Sequence, residues 1–238
     1  MATPVSNSVP LTGSNPLIDG LTQGGSWTTN GTTTAHQLTY SLDLAPGGLS
    51  WSEGPGSTAD AVARALQEWS NVADITFTKV GIDSNEQFNT STADMAFSLS
   101  YGQMIRRFGL IGFAEFPDPS ISGNFRNQLV NRVFRTGFDG NSYPHPEGDV
   151  FIEGKWSGFS DTQPGGAEFQ VIMHEIGHAL GLKHPHDDGL NHRPTFAHLG
   201  IASKDTGFWT IMSYHVTSPL LTAGNQATPM PLDILAIQ

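Results

Sequence analysis

His174-Glu175-Ile176-Gly177-His178-Ala179-Leu180-Gly181-Leu182-Lys183-His184 is the stretch on which the reading of this chain turns. The residues ahead of it, GGAEFQVIM (165–173), are dense in apolar and small side chains and read as a helix running into it. On a helix, residues four apart sit one above the other, so His174 and His178 present imidazoles on one face about a turn apart. His184 follows six residues later and could not share that face on a continued helix. Gly181 resolves this, because glycine can take a left-handed conformation, end the helix and turn the chain back. Neutral imidazoles suit zinc, and three protein ligands leave a fourth position for water, as catalytic rather than structural sites do. Glu175 directly follows the first ligand and can lean over that water and take its proton without binding the metal. Ile176, Ala179 and Leu180 point the other way, into a core. A lone histidine on an apolar helix face is ordinarily a core residue. Five specified residues in fixed spacing are different, arising by chance about once in 10⁴ such chains at this composition.

Outward from this segment, sheet and helix come first and irregular chain comes last, an α+β order. Residues 1–14, rich in Ser, Thr and Pro, read as loose. Asn15 caps a short helix with Pro16 at its first position and Gly20 near its end. Residues 22–35 read as loop. HQLTYSL (36–42) alternates like a strand. A helix is expected over 58–70, with Ser57 as cap, Asp60 placed for a capping box, and Ala61, Val62, Ala65, Leu66 and Trp69 on one face. Further strands are expected at 73–80, 93–100, 110–116 and 148–154. The polar stretch 118–147, with Arg126, Arg132 and Arg135, reads as a solvated surface loop, with substrate contact as the alternative. Residues 185–230 read as irregular, and PMPLDILAIQ as a helix starting at Pro231. It ends at Gln238 while still apolar, so the natural chain is expected to continue.

Composition narrows the partners. Lys and Arg number 11 against 22 Asp and Glu, a net charge of −11. Such a surface repels phosphate backbones, which argues against nucleic acid and anionic membranes. There is no cysteine, which rules out disulfides and thiolate metal sites within the chain. No apolar run of the roughly 18 residues needed to span a membrane exists. The N-terminus lacks the basic start and apolar stretch of a secretory signal.

The extended histidine motif is that of the metzincin metallopeptidases, which pair it with a following methionine turn. Thr210-Ile211-Met212-Ser213-Tyr214-His215 supplies such a turn, with Met212 placed 28 residues after His184. The chain looks most like the serralysin branch of that family. NPLIDGL (15–21), SNVADITFTKV (70–80), residues 165–185, TIMSY (210–214) and PMPLDILAIQ (229–238) carry the resemblance, and 118–147 and 187–209 do not. It implies a two-lobed α+β catalytic domain. A five-stranded mixed twisted sheet with long helices, about 15–184, would stand above an irregular lower lobe, 185–238. Residues 1–14 would be a flexible segment or prosegment remnant.

One zinc per chain would sit in the cleft on His174, His178 and His184, with Glu175 as general base. Met212 would pack beneath the histidines. Tyr214 would be an extra ligand at rest and would swing away to serve catalysis. The resemblance also places protein or peptide substrates along an edge strand at Gly112, Phe113, Ala114, Glu115 and Phe116. It makes the activity that of a secreted, extracellular zinc endopeptidase. The alternative is a catalytically silent zinc-bearing binding or scaffold module, and the presence of Glu175 favours the enzyme. Relatives of this kind carry a calcium-binding repeat domain. Its glycine-rich nonapeptides are absent from these residues, so Ca²⁺ is expected only if such a domain follows. His186 and His192 are read as surface or supporting residues rather than as a second metal site. His36, His145, His198 and His215 have no interpretable partner spacing.

Overall fold

The computed structural model describes residues 2–44, 49–81, 86–87, 93–102, 109–120, 146–154, 161–215 and 224–238. Arg126, Arg132, Arg135 and His145 lie outside them.

The main sheet is mixed. Its path runs β5 (Thr76–Lys79), β4 (Gln37–Leu44), β7 (Met95–Ser100), β9 (Val150–Glu153), β8 (Gly112–Ala114), and the two-residue β6 (Glu86–Gln87) also pairs with β4. All pairings are parallel except β8 with β9, where Gly112 opposes Ile152 and Ala114 opposes Val150. Every residue of β7 and β9 is buried, as expected for parallel strands covered on both faces. The strands expected from sequence are each shorter in the sheet, except β4, which extends to Leu44, and β6 had no sequence signal.

Two 13-residue helices pack together on this sheet. α2 (Thr58–Ser70) starts where Ser57 accepts a hydrogen bond from the Asp60 amide, and it buries Ala61, Val62, Ala65, Leu66 and Trp69. Complete burial of a Leu, Val or Trp side chain contributes about 1.5–3 kcal/mol or more, so this stripe fixes the helix on the sheet. α3 (Ala167–Ala179) lies alongside, and the Trp69 indole N–H donates to the Met173 carbonyl at 3.2 Å. Phe169, Ile172, Met173 and Ile176 complete the core between them. At the ends of the chain, α1 (Pro16–Asp19), capped by Asn15, meets α4 (Pro231–Ile237).

The N-terminal segment departs from expectation. Residues 3–5, read as loose, form strand β1 (Thr3–Val5). Residues 22–35, read as loop, contribute β2 (Ser26–Thr29) and β3 (Thr33–Thr34) to a small antiparallel sheet, order β1-β2-β3. These strands are short and rich in Thr and Ser, so they carry no apolar alternation to read. Tertiary pairing makes them, with Trp27 buried and its indole N–H donated to the Ala179 carbonyl at 2.9 Å. No helix among the described residues is long and apolar enough to cross a membrane.

Candidate metal centre

The end of α3 sets the geometry. Its cap is Leu180, and Gly181 follows with φ +102°. The Gly181 amide donates to the His178 carbonyl and the Leu182 amide to the Gly177 carbonyl, both at 2.9 Å. This paired closure is the glycine-terminated helix end anticipated from sequence. The chain then turns into a bridge with Thr22, with Gln23 donating to the Gly181 carbonyl and Lys183 to the Leu21 carbonyl. His184 is thereby delivered back to the face of the helix that carries His174 and His178.

Each imidazole has one nitrogen tied down. His174 Nδ1 donates to the Ile211 carbonyl at 2.8 Å, His178 Nδ1 to the Leu182 carbonyl at 2.7 Å, and His184 Nδ1 to the Asp187 carboxylate. A carbonyl can only accept, so the proton of His174 and of His178 is on Nδ1. Burial first, then the neighbouring histidines, push the His174 pKa down to about 3 and the His178 pKa well below its ordinary value, keeping both neutral. The three Nε2 atoms face one another, His184 to His174 at 3.1 Å and to His178 at 3.0 Å. Bare nitrogens that close repel unless a cation lies between them. Metal–nitrogen bonds of about 2.0–2.1 Å in a tetrahedron set ligands roughly 3.3 Å apart, so the group fits a zinc-sized ion. All three ligand atoms lie within 4.8 Å of one another.

The surroundings are equally specific. Glu175 is buried and has no hydrogen-bond partner among the described residues, and burial raises its pKa to about 8. It faces β8, where a Cβ on Gly112 would collide with its carboxylate. Met212 lies under the helix, and a Cβ on Gly177 would fall 2.7 Å from its sulfur. The Tyr214 ring stands over His174 and His184, with centroids 5.6 and 4.4 Å away. Partial desolvation, then the Glu175 and Asp187 carboxylates, hold its hydroxyl pKa above the usual tyrosine value. Of the edge segment, Phe116 packs edge-on to His178 at 5.4 Å and Phe113 tilts against Phe151. Glu115 is buried, at 3% exposed.

The matrixin (Peptidase M10) family profile matches residues 27–200. The chain belongs to the matrixin peptidase family. Among its relatives, the chain is 27% identical over 215 residues to a serralysin of Photorhabdus sp. (strain Az29), covering 85% of this chain and 38% of that protein. It is 26% identical over 187 residues to the metalloprotease AprA of Pseudomonas entomophila (strain L48), 73% of this chain and 31% of the relative. It is 28% identical over 147 residues to the macrophage metalloelastase of Oryctolagus cuniculus, 59% and 24%. The chain thus spans well under half the length of these relatives. Matrixin membership makes this a metzincin-type peptidase domain with the α+β fold expected from its sequence, and serralysins are among the proteins it resembles. The family implies zinc, and the three matrixin histidines could hold it.

Four supporting residues escaped the sequence reading. Asp187 orients His184. Buried Lys183 donates to the carbonyls of Gly20 (2.8 Å), His184 (3.1 Å) and Asp187 (2.8 Å), and burial brings its pKa down to about 8. Buried Asp233, at the start of α4, accepts from the Ile211 and Met230 amides at 2.8 Å and from the Thr210 hydroxyl at 2.5 Å. It therefore holds the turn whose Ile211 carbonyl orients His174, and burial raises its pKa to about 6. Asp205 accepts from the Ser213 hydroxyl at 2.6 Å. An acid in the first turn of a helix beginning at Pro231 was a readable signal for Asp233; the other three had none. Of the remaining histidines, His192 is nearly fully exposed and His36 lies beside the Asp74 carbonyl. His186 stacks on His184, and His215 lies near His186.

Proposed function

We propose that this chain is the catalytic domain of a zinc-dependent endopeptidase that hydrolyses peptide bonds in protein substrates. The observation that carries the reading is the convergence of three Nε2 atoms beside a buried carboxylate that has no hydrogen-bond partner among the described residues. His174, His178 and His184 would hold the zinc. When bound, the metal supplies a Lewis acid that polarises the peptide carbonyl and makes water acidic enough to attack near neutral pH.

Glu175 is the proposed general base. Burial favours its protonated form and a neighbouring dication its ionised form, opposed effects that suit a group taking and returning a proton. It would take the proton of the attacking water and pass it to the leaving amine. The Tyr214 hydroxyl, kept protonated, would bind zinc at rest and donate to the developing oxyanion during the reaction. Substrate would lie extended and antiparallel along Gly112–Phe116, pairing through backbone groups of an edge strand. Gly112 lets that strand approach Glu175 closely. Met212 would act only by packing.

The cleft would divide the chain near His184 into an upper lobe, 15–184, and a lower one, 185–238, with the N-terminal strand β1 paired onto the upper lobe. By family resemblance the place of work is extracellular. A calcium-binding repeat domain, as the resemblance suggests, would bring Ca²⁺ with it.

The test is Glu175→Gln compared with wild type at matched zinc content on one unstructured protein substrate. The amide copies the carboxylate's shape, so zinc should stay near one equivalent while turnover falls roughly 10²–10⁴-fold. His184→Ala should instead lose the metal. Equal rates in wild type and Glu175→Gln would remove Glu175 as base. A fully zinc-loaded wild type that cleaves nothing would favour a binding or scaffold module.

A further inference from the structure

We propose that His186, Asp205 and His215 form a second transition-metal site beside the first. These residues come from three segments: the turn after His184, the end of the 3-10 helix Ala202–Lys204, and the end of the methionine turn. His186 Nδ1 lies 3.5 Å and His215 Nδ1 3.3 Å from the same Asp205 oxygen, Oδ2. All three candidate ligand atoms fall within 4.8 Å of one another. Both contacts are long for charge-assisted hydrogen bonds, which run about 2.7–2.9 Å. They match the roughly 3.3 Å edge of a tetrahedron built on metal–ligand bonds of about 2.0–2.1 Å.

The carboxylate is also prepared for this role. Its other oxygen accepts from the Ser213 hydroxyl at 2.6 Å, which leaves Oδ2 aimed at the two rings, and its side chain is only 10% exposed. Such outer support is what orients a metal ligand. The His186 ring stacks on His184 at 5.0 Å and 7°, and the His215 backbone is held by its amide, which donates to Ser213 Oγ at 3.1 Å. His184 cannot serve this second group, since its Nδ1 is taken by Asp187 and its Nε2 faces His174 and His178. Two imidazoles and one carboxylate select zinc, nickel or copper(II) over calcium and magnesium, which prefer oxygen alone. His215 is 64% exposed, so the site opens to solvent and exchanges its ion more readily than the buried first one.

The test is equilibrium dialysis of the full chain against graded free Zn²⁺, with elemental analysis as readout. Wild type should pass from one equivalent to two, and His215→Ala should stop at one. Titration of Co²⁺ into one-zinc protein should give tetrahedral cobalt absorption in wild type and none in His215→Ala, with a hundredfold excess of Ca²⁺ leaving the wild-type bands in place. The double variant His174→Ala/His178→Ala isolates the second site: it should bind one equivalent, and adding His215→Ala should abolish this. Wild type that never exceeds one equivalent, a second equivalent surviving in His215→Ala, or no binding by the double variant each overturns the proposal. None of these readouts depends on peptidase activity, so failure here and failure of the enzymatic reading remain separate.

Discussion

Tyr214 is 63% exposed and rests its ring against two of the proposed zinc ligands. Nothing in that arrangement requires the hydroxyl to hold the ring in place, so Tyr214→Phe should fold and retain zinc. If the hydroxyl serves only the developing oxyanion, its loss should lower kcat by roughly 10–1,000-fold with little change in KM. Steady-state kinetics at matched zinc content checks this, and an unchanged kcat with raised KM would make Tyr214 a binding residue. At this scale the sequence was informative where chemistry is encoded locally. The i, i+4 histidines, the glutamate between them and the glycine before the third histidine could all be placed from spacing alone. Asp205, His186 and His215 could not be associated, because no short-range period relates three residues brought together by turns. Likewise, the alternation of a single strand does not reveal the burial of Glu115.

Among the elements, α3 carries the heaviest constraint, and its end is where a single substitution should be most costly. Gly181 has φ +102°, and a Cβ there would lie 2.7 Å from the Gly25 carbonyl oxygen. Gly181→Ala combines backbone strain with a clash against main chain that has no rotamer to escape into. A loss of about 2–4 kcal/mol is expected, read as a lower denaturation midpoint. Zinc affinity should fall too, because His184 is placed by the turn. Helix signals proved dependable here. α2 spans Thr58–Ser70 with the expected cap, and α4 starts at Pro231. Strands were found but overextended, since alternation persists into residues that the ladder does not reach. The β1-β2-β3 sheet was missed because its stability comes from pairing and from buried Trp27, not from its own residues' preferences.

For the whole molecule, the candidate site is a junction between distant parts of the chain. α4 reaches the histidines through Asp233, then the 210–212 turn, then Ile211 to His174. Asp233→Ala would leave two buried donors and one partly buried donor without acceptors. It should cost about 2–4 kcal/mol and also loosen zinc, although Asp233 touches neither metal nor substrate. Thermal unfolding of the zinc-loaded and zinc-free forms separates the two effects, and a destabilised variant with unaltered zinc affinity would sever the proposed link. The overall architecture was legible because the order of elements and one motif agree. The linkage was not, because a carboxylate capping a helix looks the same whether or not it braces something else. Asp233 also brings a matter of timing. A ribosome adds about 5–20 residues per second, so the histidine motif leaves it some seconds before the residue that braces it. During that interval the nascent chain holds the three histidines without the carboxylate that steadies the Ile211 turn, so the site should close only once α4 has docked.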